Sequence, residues 1–375
     1  MDLHDSPQQA EFRARLRAWL ATNLPTEPEP GNLGERFRYM VAWQQSLYRG
    51  GWVALSWPKE YGGQGLGVLE EAILNEELGR AGAPTSLPLS YLGRPLLSHG
   101  TEAQRQAHLP SLLSAETIWC QGFSEPGAGS DLASLRTKAA AVDAGWSISG
   151  QKLWTSYGAF GDMCLLLART SDYGPKHRGI SAFIVPMDAP GVTVRPVVMG
   201  NGDEEFAEIF LDDVVIGRDA LLGELGDGWG IAQATISYER GAVDIGFQAK
   251  FTRLFAELVD QVRDQAENDA GVRRKLGEVV AGLEALRMHS LRRLSVRSDG
   301  SLPGPESSVD KLLMTRVEQH MLSVAMELCD DHATDRRAAW FHHYLYARAG
   351  SIYGGSAQIQ RNILANRVLG MRSAR

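Results

Sequence analysis

Between residues 8 and 20, Phe12, Leu16 and Trp19 recur at spacings of four and three among polar neighbours, which predicts a helix with one apolar stripe. The prolines between Pro25 and Pro30 end it. Residues 68–81 intersperse Val68, Leu69, Ala72, Ile73, Leu74 and Leu78 with glutamates and predict a second amphipathic helix. A loop punctuated by Pro58, Gly62 and Gly63 precedes it. From about residue 117 to 216 the pattern shortens. Runs such as 164–168 and 180–185 are strand-like and bounded by Gly, Pro and Asp turns. About eight such runs in this stretch predict a small antiparallel barrel or sandwich. After Gly226-Asp227-Gly228 the helical period returns and continues to the C-terminus, with a loop at Pro303-Gly304-Pro305. Helices, then strands, then helices give an α+β chain with three domains: a helical one at 1–117, an antiparallel β-domain at 118–225, and a helical bundle at 226–375.

Composition narrows the function without assigning it. The chain has 375 residues, 44% hydrophobic and 22% charged, enough for two or three packed domains. A formal net charge of −7 argues against nucleic-acid binding, which needs a basic stripe. The pairs Arg292-Arg293 and Arg336-Arg337 read as solvated helix faces. Cys120, Cys164 and Cys329 are odd in number and widely spaced, so neither a disulfide framework nor a metal site is expected, and a reducing cytoplasm fits. No run approaches the ~18 apolar residues of a membrane span, so no membrane partner is expected.

Two segments can carry chemistry. Phe123-Ser124-Glu125-Pro126-Gly127-Ala128-Gly129-Ser130-Asp131 follows a strand-like run and concentrates glycines and hydroxyls. It is either a turn leaving the strand or a loop whose N–H groups can approach an anion closely. Lys152-Leu153-Trp154-Thr155-Ser156-Tyr157 places an indole before hydroxyls at a strand end, where Trp more often serves packing. Further on, Glu239 falls on an apolar helical stripe with Ala232, Ile236, Val243 and Phe247. A carboxylate there is costly unless it is paired or functional, and both a buried ion pair and a base remain open. Its neighbour Arg240 points about 100° away and can pair with Asp244.

Together these segments resemble the acyl-CoA dehydrogenase family, in the family's order. So do Trp57-Pro58-Lys59-Glu60-Tyr61-Gly62-Gly63, Glu77-Leu78-Gly79-Arg80-Ala81-Gly82, Gly179-Ile180-Ser181-Ala182-Phe183-Ile184-Val185, Phe210-Leu211-Asp212-Asp213-Val214 and Ile352-Tyr353-Gly354-Gly355-Ser356-Ala357-Gln358-Ile359-Gln360-Arg361. The resemblance covers essentially the whole chain. It implies an N-terminal helical domain, a middle β-domain and a C-terminal four-helix bundle that bind FAD and an acyl-CoA substrate. Phe123 and Ser124 would lie against the flavin ring, Gly129 and Ser130 near the pyrophosphate, with Ser130 also near the CoA side. Trp154 would pack beside the isoalloxazine and Ser156 would bond near N5. Ser356 and Gln358 would contact FAD from a helix start.

Most members of that family carry the catalytic Glu where this chain has Gly354. A minority places it directly before an arginine on an earlier helix, as Glu239-Arg240 does here. Glu239 is then the expected base, with Arg240, Gly354 and Gly355 on the substrate side and the Gly354 N–H as donor to the thioester carbonyl. The family's Arg-x-x-Phe segment has no convincing match in 247–255, and the Gly-Gly turn after the penultimate helix is replaced by Cys329-Asp330-Asp331. These departures resemble the actinobacterial steroid-catabolic members, heterotetramers of two unlike subunits. Three readings follow. The first is a dehydrogenase of bulky acyl-CoAs served by an electron-transfer flavoprotein, as a homo-oligomer or a tetramer with a related subunit. The second is a non-catalytic partner subunit, and the third a flavin oxidase or monooxygenase.

Overall fold

A computed structural model describes residues 5–87, 89–238, 242–296, 304–329 and 339–371. The helices in chain order are α1 (Pro7–Asn23), α2 (Leu33–Arg49), α3 (Val68–Ala81), α4 (Leu89–His99) and α5 (Glu102–Leu113). Strands follow: β1 (Trp119–Gly122), β2 (Lys138–Val142), β3 (Gly145–Ser156), β4 (Met163–Arg169), β5 (Ile180–Pro186), β6 (Val192–Val197), β7 (Phe206–Ile216) and β8 (Leu221–Leu222). The chain returns to helix in α6 (Gly228–Tyr238), α7 (Ala242–Gln261), α8 (Arg263–Asn268), α9 (Ala270–Val296), α10 (Ser307–Leu328), α11 (Ala339–Ala347) and α12 (Ala357–Ile363). The helix–strand–helix order read from the sequence is therefore the order of the fold. Among the described residues no helix is long and apolar enough to cross a membrane.

The elements group into two compact units, and the N-terminal helices are shared between them. One unit takes residues 30–64 and 85–238, the other residues 5–29, 65–84 and the described residues from 242 onward.

The first unit is built on an eight-stranded sheet ordered β6-β7-β3-β2-β4-β5-β8, with β1 against β4. The expected all-antiparallel arrangement needs correction: β1 and β2 both pair with β4 in parallel. β5 occupies the other edge of β4 along Met163–Arg169, so β4 is paired on both sides. Such a strand reads as a continuous apolar run, and Cys164, Leu165, Leu166, Leu167 and Ala168 are indeed all buried. β3 and β7 alternate inward and outward and supply Ile148, Ile209, Leu211 and Val214 to one face of the core. The helices pack by their apolar stripes. Phe37, Met40, Trp43 and Leu47 of α2 are buried, and the Trp57 ring lies where any side chain at Gly93 of α4 would stand. Gln104, the N3 residue of a capping box with Thr101, also donates to the carbonyls of Asp219 and Leu221, tying α5 to β8.

In the second unit α7, α9, α10 and α11 enclose one core that includes Leu258, Val279, Leu286, Met321 and Trp340. This is the expected four-helix bundle. α1 and α3 join each other through Glu77, which is 4% exposed and accepts from both Arg13 (2.6 Å) and Arg17 (2.7 Å). Ser6 and Gln9 form a capping box that starts α1.

Candidate active site

The structure places the sequence-selected residues on both units. Phe123, Ser124, Gly129 and Ser130 lie on the sheet unit in the loop after β1, and Trp154 and Ser156 at the end of β3. Gly354, Gly355, Ser356 and Gln358 lie on the helical unit, where α12 begins. Glu239 and Arg240 lie outside the described residues.

On the sheet unit, the loop after β1 and the end of β3 form one structure. Leu153 N–H donates to Ser124 O (2.9 Å), extending strand-like pairing beyond β1. Glu125 and Ala128 exchange backbone hydrogen bonds around Pro126-Gly127, closing a tight turn. Gly129 and Ser130 follow on the exposed side of this turn, and a β-carbon at Gly127 or Gly129 would meet nothing within 4 Å. Open backbone N–H groups of this kind suit an anionic ligand.

Beneath the loop sits an ion pair that sequence reasoning missed. Lys152 Nζ is fully buried and lies 2.8 Å from Glu125 Oε1; it also donates to Phe123 O (3.2 Å). The Glu125 carboxylate accepts from the N–H groups of Arg136 (2.6 Å) and Thr137 (2.9 Å) as well. Burial alone would raise the Glu125 carboxyl, but the Lys152 charge and these hydrogen bonds hold it below the ordinary value. For Lys152 burial is the larger influence and lowers its value against the pull of Glu125. Only the buried side of an otherwise loop-like Glu distinguishes this residue, and composition does not reveal that.

β3 reaches the site through an irregularity. Its register against β7 shifts between Lys152 and Thr155, and Trp154 takes φ +65 within the bulge. The bulge turns Trp154 outward: its indole is 55% exposed and stands edge-on to Phe206 at 6.0 Å. Ser156 follows at the strand end, and Tyr157 closes the turn with φ +53. Its ring contact is thus with Phe206 of the neighbouring strand, at the sheet surface and not in the core. An exposed indole beside a strand-end hydroxyl and an open glycine loop matches the demands of a flat, phosphorylated heteroaromatic ligand, so these residues fit FAD.

On the helical unit, Gly354 and Gly355 have φ +60 and +88, a left-handed turn that glycine makes without strain. Ser356 caps α12 by accepting from Ile359 N–H (3.3 Å), and Gln358 is exposed. Gln360, fully buried, donates to both glycine carbonyls (3.3 and 3.0 Å) and fixes the turn from inside. Lys311 of α10 lies over the Tyr353 ring at 4.0 Å, and Thr315 Oγ1 donates to Gly350 O (3.2 Å). α10 is thus the support of the segment leading into the glycines. The apolar stripe drawn through Glu239 holds for Ala232, which is buried, but Phe247 is 38% exposed.

Comparison with known proteins gives a concordant picture. Three family models match in sequence: acyl-CoA dehydrogenase N-terminal domain at residues 6–116, middle domain at 120–214 and C-terminal domain at 226–369. Acyl-CoA dehydrogenase IpdE1 of Mycobacterium tuberculosis is 39% identical, over 96% of this chain and 97% of its own. Among solved structures, one described as "Tcur3481-Tcur3483 steroid ACAD" is 30% identical with a TM-score of 0.87, covering 100% of both chains. The ChsE4-ChsE5 complex from Mycobacterium tuberculosis contributes a chain 29% identical, with a TM-score of 0.81 and 100% coverage of both.

Proposed function

Because the chain belongs to the acyl-CoA dehydrogenase family, whose members are FAD-dependent oxidoreductases, we propose that it desaturates an acyl-CoA thioester between Cα and Cβ, with Glu239 as base. When bound, FAD supplies the acceptor for the β-hydride. The chain's own residues do the rest. Ser124 and Trp154 form the wall against the flavin ring, with Phe123 buried next to Ser124. Ser156 is the hydrogen-bonding hydroxyl near N5. Gly129 and Ser130 offer the anion-suited loop to the pyrophosphate, with Ser130 also facing CoA. Ser356 and Gln358 reach the cofactor from the start of α12.

Glu239 takes the α-proton, and the Gly354 N–H receives the charge that builds on the thioester oxygen. Gly355 and Arg240 line the substrate side. A glycine at 354 frees the volume a carboxylate would fill and favours bulky acyl groups. The similarity to IpdE1 and to a steroid dehydrogenase supports a steroid-derived CoA ester. The two-component names of the similar structures support a heteromer with a related subunit. An electron-transfer flavoprotein is the proposed acceptor, in the cytoplasm.

The observation that carries this reading is the β3 bulge, which exposes Trp154 beside Ser156 and the glycine loop. The test is a visible spectrum of the protein, alone and with its related subunit, followed by anaerobic bleaching with a panel of thioesters. A flavin band bleached faster by steroid-derived than by straight-chain acyl-CoAs is expected. A colourless protein in both preparations points instead to a scaffold subunit, and faster straight-chain bleaching contradicts the substrate class.

A further inference from the structure

Resting on the proposed contact of Trp154 and Ser156 with FAD, we infer that Phe37 of α2 is a positioning residue for the flavin-facing turn, and that Arg36 secures the loop opposite. They act through Tyr157 and the segment before β7.

The turn needs an outside hold. Trp154 and Tyr157 both have left-handed φ, at +65 and +53, which side chains other than glycine rarely accept. The β3–β7 ladder slips between Lys152 and Thr155, so regular pairing does not fix the residues between. Pairing resumes at Thr155–Ala207 and Ser156–Phe206, and just beyond it the Tyr157 N–H donates to Glu205 O at 2.7 Å.

α2 holds both strands of that contact. The Phe37 ring is 5% exposed, stacks on Phe160 at 4.2 Å with an interplanar angle of 9°, and lies 5.4 Å from the Tyr157 ring. The adjacent Arg36 reaches Asp203 (Nη2 to Oδ2, 2.6 Å), whose own N–H donates to Asn201 Oδ1. Asp203 is two residues from Glu205, so one pair of consecutive helix residues clamps both partners of the Tyr157–Glu205 bond. All of these residues lie within the sheet unit. Loosening either clamp lets Trp154 and Ser156 leave the orientation proposed for contact with the isoalloxazine.

The test compares Phe37→Leu, which keeps apolar volume but loses the stack, with Phe37→Tyr, which keeps the ring, and with Arg36→Gln. Leu112→Ala, at a fully buried position of α5 in the same unit, is the control for general destabilisation. Amide hydrogen exchange across residues 154–161 is measured without FAD, then the FAD dissociation constant and the absorption band of the bound flavin. Phe37→Leu is expected to speed exchange at Tyr157 and weaken FAD binding by roughly tenfold each, as the loss of one aromatic stack implies. Its flavin band shifts, whereas Phe37→Tyr stays native in all three. Native exchange and affinity in Phe37→Leu overturn the inference, as does an equal change in Leu112→Ala. Should Phe37→Leu not fold, Arg36→Gln decides by the same readings: faster exchange with weaker FAD supports the inference, and unchanged values overturn it. Native protein that takes up no FAD overturns the flavin reading along with it, whereas native uptake with an indifferent Phe37→Leu overturns this inference alone.

Discussion

Lys152 and Glu125 form an ion pair at 2.8 Å, with the lysine wholly buried, that fastens the end of β3 to the glycine-rich loop after β1. The pair stands between the two segments proposed to hold FAD, so its removal acts on both at once. A buried pair contributes little net stability when intact, but breaking it leaves an uncompensated charge. Glu125→Gln is therefore expected to destabilise the protein by about 3–5 kcal/mol. The double variant Glu125→Leu/Lys152→Met recovers most of that loss, because no buried charge remains. Urea unfolding of the three proteins checks the prediction, and equal stability of single and double variants refutes it.

The same carboxylate gives the fold an acid limit. Despite the opposing effect of burial, Glu125 keeps a folded-state value below its ordinary 4.5, held there by Lys152 and its N–H donors. The unfolded chain then binds more protons than the native one, so this stabilisation is present above about pH 4.5 and lost as pH falls through the folded value. Glu77 is lowered in the same sense by Arg17 and Arg13 and adds to the acid limb. Unfolding midpoints between pH 6 and 3 should fall steeply for the native protein and less steeply for Glu125→Gln.

Between α1 and α3, Glu77 serves two arginines of unequal burial. Arg13 has a 16% exposed side chain and also contacts Asp5 and Glu76, while Arg17 is 54% exposed. Glu77→Gln should cost about 2 kcal/mol, less than the Glu125 change, because Arg13 keeps other partners and Arg17 regains water. Arg17→Ala should cost below about 1 kcal/mol, as exposed pairs do. Denaturant titration of both variants gives the comparison, and a larger loss for Arg17→Ala would reverse the assignment.

Gly354 and Gly355 turn through left-handed backbone that an L-side chain resists. Gly354→Ala and Gly355→Ala are each expected to lose about 1–2 kcal/mol, independent of any ligand. Thermal unfolding without FAD or substrate tests this. A neutral Gly354→Ala shows that the turn is not strained by a side chain.

The legible parts of this protein were those whose signal is local. Residues 68–81 carry the apolar period across their full length, and that span is helix α3. β5 was legible because buried strands read as unbroken apolar runs. The parallel pairings of β1 and β2 with β4 were not, since they join residues more than twenty positions apart and leave no periodic trace. Trp154 stood out as a motif residue, yet its exposure depends on a register slip against β7, a property of two strands together. Lys152 and Glu125 were hidden for the same reason: each looks like an ordinary surface charge until the fold removes both from water.

The central claim is that Glu239 is the carboxylate that takes the α-proton. Its most direct test is anaerobic flavin bleaching by a steroid-derived acyl-CoA in single turnover, comparing the native chain with Glu239→Gln at matched FAD occupancy. Loss of the base is expected to slow bleaching by on the order of 10²–10⁴-fold with the flavin spectrum unchanged. Equal bleaching rates in the two proteins would contradict it.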